Sequence, residues 1–379
     1  MGGPLAFTKL ASLSYYRWEF DNWFSDLGTL RRECPLDHTA SKRALSSRNA
    51  QANLSLGRLE NLPVETIQQI LQYLDLQTLF EFRAVNRRAT LMIDNIPSYR
   101  VLIAYVPDVL RAMFRTHAVQ HHSFINLYAA FESESCYLCG SFGAFFSLLE
   151  CRRCCYYCLL KAEETLPHPR AQALKDFGLS ETTIAKTPCM LSLPGSYHAG
   201  PGNRPKSVPG RVILISKIAA KEAGIILHGG EKAMDEYVHS EREKAKVADR
   251  EGAAKKRCLG SSSPPHHLVD SKPPPILPCL PNYDHKSDAI LHGAARRAYR
   301  FMAAVRLPQR NGQFDWGLSC KGCEDVWDFH RGMKDYGPNP DMRKDYERTF
   351  SREELLDHFH QCERSQELWE AQRLEASIT

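Results

Sequence analysis

Long hydrophobic runs are absent from this 379-residue sequence. The first sixteen residues, MGGPLAFTKLASLSYY, contain no continuous apolar stretch like the core of a secretory signal. No other segment approaches the roughly 18 consecutive apolar residues of a membrane-spanning helix. We therefore expect an intracellular protein, in the cytoplasm, the nucleus or both, without a membrane partner.

A strong charge imbalance is also lacking. The sequence has 49 basic and 44 acidic residues and a formal net charge of +5, which neither requires nor excludes nucleic acid. Apolar residues make up 43% and charged residues 25%, as in ordinary globular proteins. The length leaves room for two or three domains.

Motifs of the common enzyme classes are missing as well. We find no glycine-rich phosphate loop, no nucleophile elbow and no open metal site with a carboxylate base. The Cys-x-x-Cys pairs lack the βαβ context of a thioredoxin-like redox motif. The cross-braced spacing of eight ligands in a RING domain is absent too. The sequence therefore predicts a protein without catalytic activity of its own.

Cysteine, in contrast, is plentiful. The chain has 13 cysteines, an odd number, and thiols in a reducing compartment rarely form disulfides. Several of them cluster in pairs, which indicates metal binding. The first pair is Cys136 with Cys139, and Gly140 follows where a zinc knuckle often needs a permissive backbone.

The partner of this first pair is ambiguous in the segment CYLCGSFGAFFSLLECRRCCYYC. Either Cys151 with Cys154 or Cys155 with Cys158 completes four ligands at a spacing suited to tetrahedral zinc. We favour Cys155 and Cys158, because a helix starting at Tyr156 would present both sulfurs on one side. Unligated core cysteines and redox-active thiols are the alternatives. A closed site of four ligands has no place for a substrate water, so we expect structural zinc.

A second candidate zinc site lies near the C-terminal end. Cys320 and Cys323 form another Cys-x-x-Cys pair, and FSREELLDHFHQC follows after a long interval. The order Ser-x-x-Glu predicts a capping box at the start of a helix. His358 and Cys362 are four residues apart and share one face of that helix, whereas His360 points away. The alternative is a helix that carries these residues without a metal.

Residues 59–95 predict three short helices. Apolar residues at helical spacing from Ile67 to Leu74 form the first helix, Asp75 can cap the second, and Asn86 can interrupt it before the third. Three helices in about forty residues bury little apolar surface, so such a unit usually needs a partner. An ordinary helical hairpin within a larger domain is the alternative.

The order Leu-Pro-x-Glu, an apolar helix, Tyr-Leu-Asp, Leu79 and then Val-Asn-Arg resembles the F-box. The resemblance implies docking on the Skp adaptor of an SCF-type ubiquitin ligase, and through it on a cullin. It also implies that six residues divide between the trihelical core and the docking surface: Leu62, Pro63, Ile67, Leu71, Leu79 and Val85.

Together with HGGEKAM, CKGC and HFHQC, these motifs resemble a family of fungal F-box proteins with cysteine-rich C-terminal regions, over residues 59–369. That family's Arg-x-Cys-x-x-Cys pattern supports Cys155 over Cys154. The implied fold is mainly α with small α+β zinc-stapled modules, in which a trihelical F-box precedes a Cys-rich zinc region and a terminal zinc-knuckle and helix element.

We expect six regions along the chain. They are a poorly ordered extension (1–57), the F-box (58–97), a helical linker region (98–135), a zinc-binding Cys-rich domain (136–240), a disordered linker (241–278) and a C-terminal domain (279–379). The expected function is a substrate receptor of a ubiquitin ligase with two structural zinc sites. The alternative is a zinc-dependent nucleic-acid-binding or transcription-associated protein.

Overall fold

A computed structural model describes residues 4–17, 55–197, 206–208, 210–258, 298–307, 309–311, 313–332 and 340–378. The described chain is mainly helical, with short strands between the helices. Its helices are α1 (Pro4–Leu13), α2 (Val64–Tyr73), α3 (Leu76–Arg83), α4 (Arg87–Asp94), α5 (Pro97–Tyr105), α6 (Pro107–Arg115), α7 (Phe124–Glu132), α8 (Tyr156–Lys161), α9 (Arg170–Asp176), α10 (Glu181–Ile184), α11 (Lys217–His228), α12 (Glu231–Cys258), α13 (Ala298–Met302), α14 (Lys321–Gly332), α15 (Pro340–Glu347), α16 (Arg352–Gln361) and α17 (Glu363–Ile378). None of them is long and apolar enough to cross a bilayer.

The strands form small antiparallel sheets. They are β1 (Ser14–Tyr15), β2 (Phe145–Ser147), β3 (Arg152–Cys154), β4 (His168–Pro169), β5 (Cys189–Leu191), β6 (Gly195–Tyr197), β7 (Lys206–Val208), β8 (Ile213–Ile215), β9 (Ala304–Arg306), β10 (Gln309–Asn311), β11 (Gln313–Asp315) and β12 (Ser319–Cys320). Two sheets have three strands, in the orders β3-β2-β9 and β4-β8-β5, and three are two-stranded: β1-β12, β6-β7 and β10-β11.

The first three-helix unit folds as its sequence predicts. The Asp75 carboxylate accepts a hydrogen bond from the Thr78 backbone N–H at 2.9 Å and caps α3. The Asn86 side chain accepts from the Ala89 N–H at 2.8 Å and caps α4. Pro63 stands one position earlier than expected, at the N-cap of α2.

This unit is continuous with the rest of the main core. One cluster of buried side chains runs from α2 through α7, the cysteine-rich segment 136–160 and residues 298–307. Backbone hydrogen bonds from Leu76 N–H to His122 O (3.2 Å) and from Phe124 N–H to Leu74 O (3.0 Å) tie the two halves together. Residues 98–135 therefore form part of this core, where the sequence had suggested a linker.

Two distant segments return to complete local sheets. Strand β9 pairs with β2, with Phe146 opposite Val305, and β1 pairs with β12, with Ser14 opposite Cys320. Leu13, at the end of α1, is fully buried among residues near the C-terminus. The described part of the N-terminal extension is therefore packed. The other residues of that extension, 18–54, including most of its aromatic cluster, lie outside the described ranges.

The region after the main core contains a second, smaller core. Ser216 caps α11, which ends at Gly229 with a left-handed φ of 78°. Both features follow the expectation from sequence. The next helix, α12, differs from it, because it runs for 28 residues into the predicted linker. Ion pairs one turn apart, Lys244–Glu241 and Lys246–Glu243, both at 2.7 Å, line its polar surface. Residues 259–297 lie outside the described ranges.

Arg153 connects the parts of the main core. Its side chain is buried, and its guanidinium donates hydrogen bonds to the carbonyl oxygens of Ala130 (3.0 Å), Phe131 (3.2 Å), Gly143 (2.7 Å) and Leu307 (2.8 Å). Two of these carbonyls belong to the last turn of α7, which has no helical donors for them. Burial lowers the pKa of Arg153 to about 9, so the group still carries its charge at neutral pH.

Replacing Arg153 should destabilise the protein strongly. Arg153→Met removes the donors of four buried carbonyl groups, so we expect a loss of about 3 kcal/mol in the free energy of unfolding. Urea denaturation followed by tryptophan fluorescence measures it. Arg152→Met is the matched control at the neighbouring exposed position and should cost less than about 0.5 kcal/mol. Equal losses in both variants would contradict this role of Arg153.

His122 is a second buried polar group, and its Nε2 lies 3.1 Å from the Leu148 carbonyl oxygen. Burial, assisted by nearby His121, lowers its pKa from 6.5 to about 4. The folded state therefore holds the neutral ring, while the unfolded chain takes up a proton as pH falls below 6.5. The stability that His122 provides is present above pH 6.5 and is lost as pH falls toward 4.

We expect acidification to affect wild type more than His122→Gln, whose amide can still donate to Leu148. Between pH 7.5 and 5.5, with zinc in excess, wild type should lose about 1 kcal/mol more of its unfolding free energy than the variant. Paired urea titrations at the two pH values measure this difference. An identical pH response in the two proteins would show that His122 is not held neutral by the fold.

Candidate functional site

The first candidate site is the surface of the unit formed by α2, α3 and α4. Of the six residues predicted to divide between core and surface, Ile67 (4% exposed), Leu71 (2%) and Leu79 (0%) lie in the core. Leu62 (40%) and Val85 (67%) are exposed, and so is Pro63. The predicted division is therefore visible residue by residue.

Other apolar residues of this surface were not assigned to it from the sequence. Val64, Ile70 and Tyr73 are exposed by 44%, 46% and 71%. Ile70 had been expected on the buried face of α2. It lies about 60° around the helix from Ile67, on the side away from Leu71, and so falls at the edge of the buried stripe.

Contacts outside the helices hold the two ends of this surface together. The Asn86 side-chain amide donates to the Ser55 carbonyl oxygen at 3.1 Å. Arg88 lies 3.8 Å from the Glu60 carboxylate. These contacts hold the segment that leads into Leu62 against the start of α4, beside the corner that carries Val85.

The second candidate site is the first cysteine cluster. The structure brings together the sulfurs of Cys136, Cys139, Cys155 and Cys158, all within 4.8 Å of one another. The Sγ atoms of Cys139 and Cys155 are 3.6 Å apart, close to the roughly 3.8 Å edge of a tetrahedron with Zn–S bonds of about 2.3 Å.

Local backbone geometry explains how this cluster forms. Gly140 has a φ of +75° and its N–H donates to the Cys136 carbonyl at 2.9 Å, which closes the knuckle turn. Cys155 is the N-cap of α8, and its sulfur accepts from the Cys158 N–H at 3.3 Å. The second pair therefore occupies the first turn of a helix, as the sequence had suggested.

The other two nearby cysteines belong to neither cluster of the described residues. Burial raises the pKa of Cys154 far above its usual value and that of Cys151 to about 12. In the cluster itself, hydrogen bonds from the thiols of Cys155 and Cys158 lower the pKa of Cys136. Thiolates are the form that binds metal, so these environments separate the two classes of cysteine.

The third candidate site gathers Cys320, Cys323, His358 and Cys362, again within 4.8 Å. The Cys362 sulfur lies 3.9 Å from those of Cys320 and Cys323, and His358 Nε2 lies 3.2 Å from the Cys323 sulfur. Burial opposes protonation of His358, but the thiols of Cys320 and Cys362 raise its pKa to about 9. Three thiols and one imidazole form a donor set that fits tetrahedral zinc.

Three separate elements support this third site. The predicted capping box at Ser351 and Glu354 is present and starts α16, while His360 is exposed. The Ser365 hydroxyl of α17 lies 2.9 Å from the Cys320 sulfur, and a Cβ on Gly322 would collide with it. The N-terminal strand β1 covers Cys320. Its pairing joins the two ends of the chain, and no local pattern in the sequence had indicated it.

The comparison with family models agrees with the first site. The model of the F-box domain matches residues 59–100. This segment is an F-box domain, the module through which receptor subunits of SCF-type ubiquitin ligases bind the Skp adaptor. No curated protein and no solved structure matches the chain. The resemblance to fungal proteins with cysteine-rich regions therefore stays a prediction.

Metal analysis can test the two clusters separately. We expect about two zinc ions per purified wild-type chain, and about one in Cys139→Ser and in Cys323→Ser, because each variant removes one of four ligands. Cys151→Ser is the control and should keep both ions. Elemental analysis by plasma mass spectrometry gives the ratio. A wild-type protein without zinc, or full zinc content in both ligand variants, would refute the metal sites.

Proposed function

We propose that this protein is a substrate receptor of an SCF-type cullin ubiquitin ligase. Its F-box domain binds the Skp adaptor, and the zinc-stabilised remainder presents a surface to the protein that is to be ubiquitylated. The chain itself carries no catalytic step, which belongs to other subunits. The observation that carries the proposal is the match of residues 59–100 to the F-box, together with an apolar surface on that segment.

The exposed apolar residues support this docking surface. Leu62, Val64, Ile70, Tyr73 and Val85 are all 40% exposed or more. Single exposed apolar residues are ordinary, but several of them on one small three-helix unit are typical of a protein interface. Contact with the adaptor would remove them from water.

The continuous core supports a receptor that acts as one piece. The F-box helices share their buried cluster with the first cysteine module, and β9 joins that module to the second half of the chain. A substrate bound on the cysteine-rich part would thus be held at a defined position relative to the adaptor.

Zinc has a structural role in this proposal. Each site supplies four protein ligands, which leaves no open position for a substrate water. Binding would contribute on the order of 10 kcal/mol of folding free energy per site, by analogy with zinc-finger peptides. Loss of Cys139 should therefore unfold the first cysteine module. It would not stop a chemical reaction.

The alternative of nucleic-acid binding is disfavoured at the third site. Glu353, Asp357 and Glu363 are exposed beside His358 and Cys362. Arg364 pairs with Asp325 at 2.5 Å and with Glu367 at 2.9 Å. A polyanion would meet carboxylates on this face. We propose an intracellular location for the protein, since its ligase partners act there.

Co-purification with the Skp adaptor tests the docking surface. The double variant Leu62→Ala/Pro63→Ala and the single variant Val85→Asp should reduce adaptor binding by at least about tenfold, because buried apolar contacts dominate such interfaces. Binding is measured by pull-down and by calorimetric titration.

Ile226→Asp provides the matched control for this experiment. Ile226 is the most exposed of the large apolar residues described, at 81%, and it lies on α11, outside the F-box. This variant should bind the adaptor as wild type does. Failure of wild type to bind the adaptor would overturn the proposed function.

A further inference from the structure

We propose that the cleft between α7 and the first cysteine module binds the ammonium group of a lysine side chain on another protein. The inference rests on the function proposed above, because that protein would be the substrate of the ligase. It adds a location and a chemical class to the substrate-binding surface.

The cleft has a volume of about 530 Å³. One wall is the solvent side of α7, the second is the start of the cysteine knuckle, and the third is the turn that leads into β3. The residues that line it are His122, Asn126, Ala129, Ala130, Ser133, Ser135, Cys136, Tyr137, Glu150, Cys151, Arg152 and Arg153. A space of this size can admit one long side chain and the adjoining backbone.

Glu150 gives the cleft a partly desolvated carboxylate. One of its oxygens, Oε1, accepts a hydrogen bond from the Ser216 hydroxyl at 2.6 Å. Burial raises the pKa of Glu150, which means that the ionised form is poorly solvated where it stands. A cation entering the cleft would stabilise that form.

Tyr137 gives the cleft an unsatisfied polar atom. Its phenolic oxygen is buried and has no hydrogen-bond partner within the described structure. The guanidinium of Arg152 lies over the face of the same ring, 5.7 Å from its centre, and does not satisfy the hydroxyl. Buried polar atoms without a partner are uncommon, and this one lines a cleft that is open to a ligand.

These groups match an ammonium ion better than an anion. Lysine has three N–H donors and no acceptor, and the cleft offers acceptors in the Glu150 carboxylate, the Tyr137 oxygen and the Asn126 amide oxygen. His122 is held neutral by burial, so it adds no positive charge. A phosphate or carboxylate would be repelled by Glu150.

The test uses the full chain bound to the adaptor and a small probe, Nα-acetyl-lysine N-methylamide. Saturation-transfer NMR should detect its binding. The Nε-acetylated form, which has lost the charge and two donors, should bind at least about tenfold more weakly. Equal binding of the two forms, or stronger binding of the corresponding phosphoserine amide, would overturn the inference.

Two variants locate the binding. Glu150→Gln keeps an oxygen that can accept from Ser216 but removes the charge, and it should lose most of the probe binding. Tyr137→Phe should also weaken the probe, yet it should leave the melting temperature unchanged or raised, because the hydroxyl has no partner to lose. Wild-type affinity in both variants would overturn the proposal.

Glu236→Gln is the control for the loss of a carboxylate. Glu236 is an exposed residue of α12, outside the cleft, and its variant should bind the probe as wild type does. All three variants should keep adaptor binding, so failure of the lysine site and failure of the adaptor site are observed independently.

Discussion

The structure depends most on one buried cation. The guanidinium of Arg153 donates to carbonyl oxygens at the end of α7, in the cysteine knuckle and just after β9, so one side chain connects three segments that are distant in sequence. Its charge is solvated by backbone dipoles instead of water or a carboxylate. Such a group tolerates no simple replacement, since each carbonyl it serves would lose a partner in the interior.

Pairing between distant strands extends the same constraint. Because β9 completes the sheet beside Arg153 and β1 completes the sheet beside Cys320, neither cysteine module is built from one continuous stretch of chain. Arg300 adds to this. It donates to the Leu159 and Ala162 carbonyls and so caps α8, the helix that follows Cys155. Metal binding and chain folding are thereby linked, and loss of a ligand would disturb elements far from it.

Much of the molecule could be predicted from local pattern. The caps at Asp75, Asn86, Ser216 and Ser351, the second pair of the first cluster and the composition of the third site depend on spacing within a few residues. Local chemistry determines such features, because a cap or a knuckle is formed by neighbours in the chain. The F-box follows from the same kind of information. The length of α12 did not, since a charged segment is compatible with either a linker or a helix supported by ion pairs.

By itself, the sequence determined the F-box helices, the two sets of four metal ligands and the absence of a common catalytic motif. Only the tertiary structure decided which apolar F-box residues face solvent, how the two ends of the chain meet at Cys320, and that a buried arginine joins the helices to the knuckle. It also decided that Glu150 and Tyr137 line one cleft. These features come from contacts between residues far apart in sequence, and no periodicity or spacing records them.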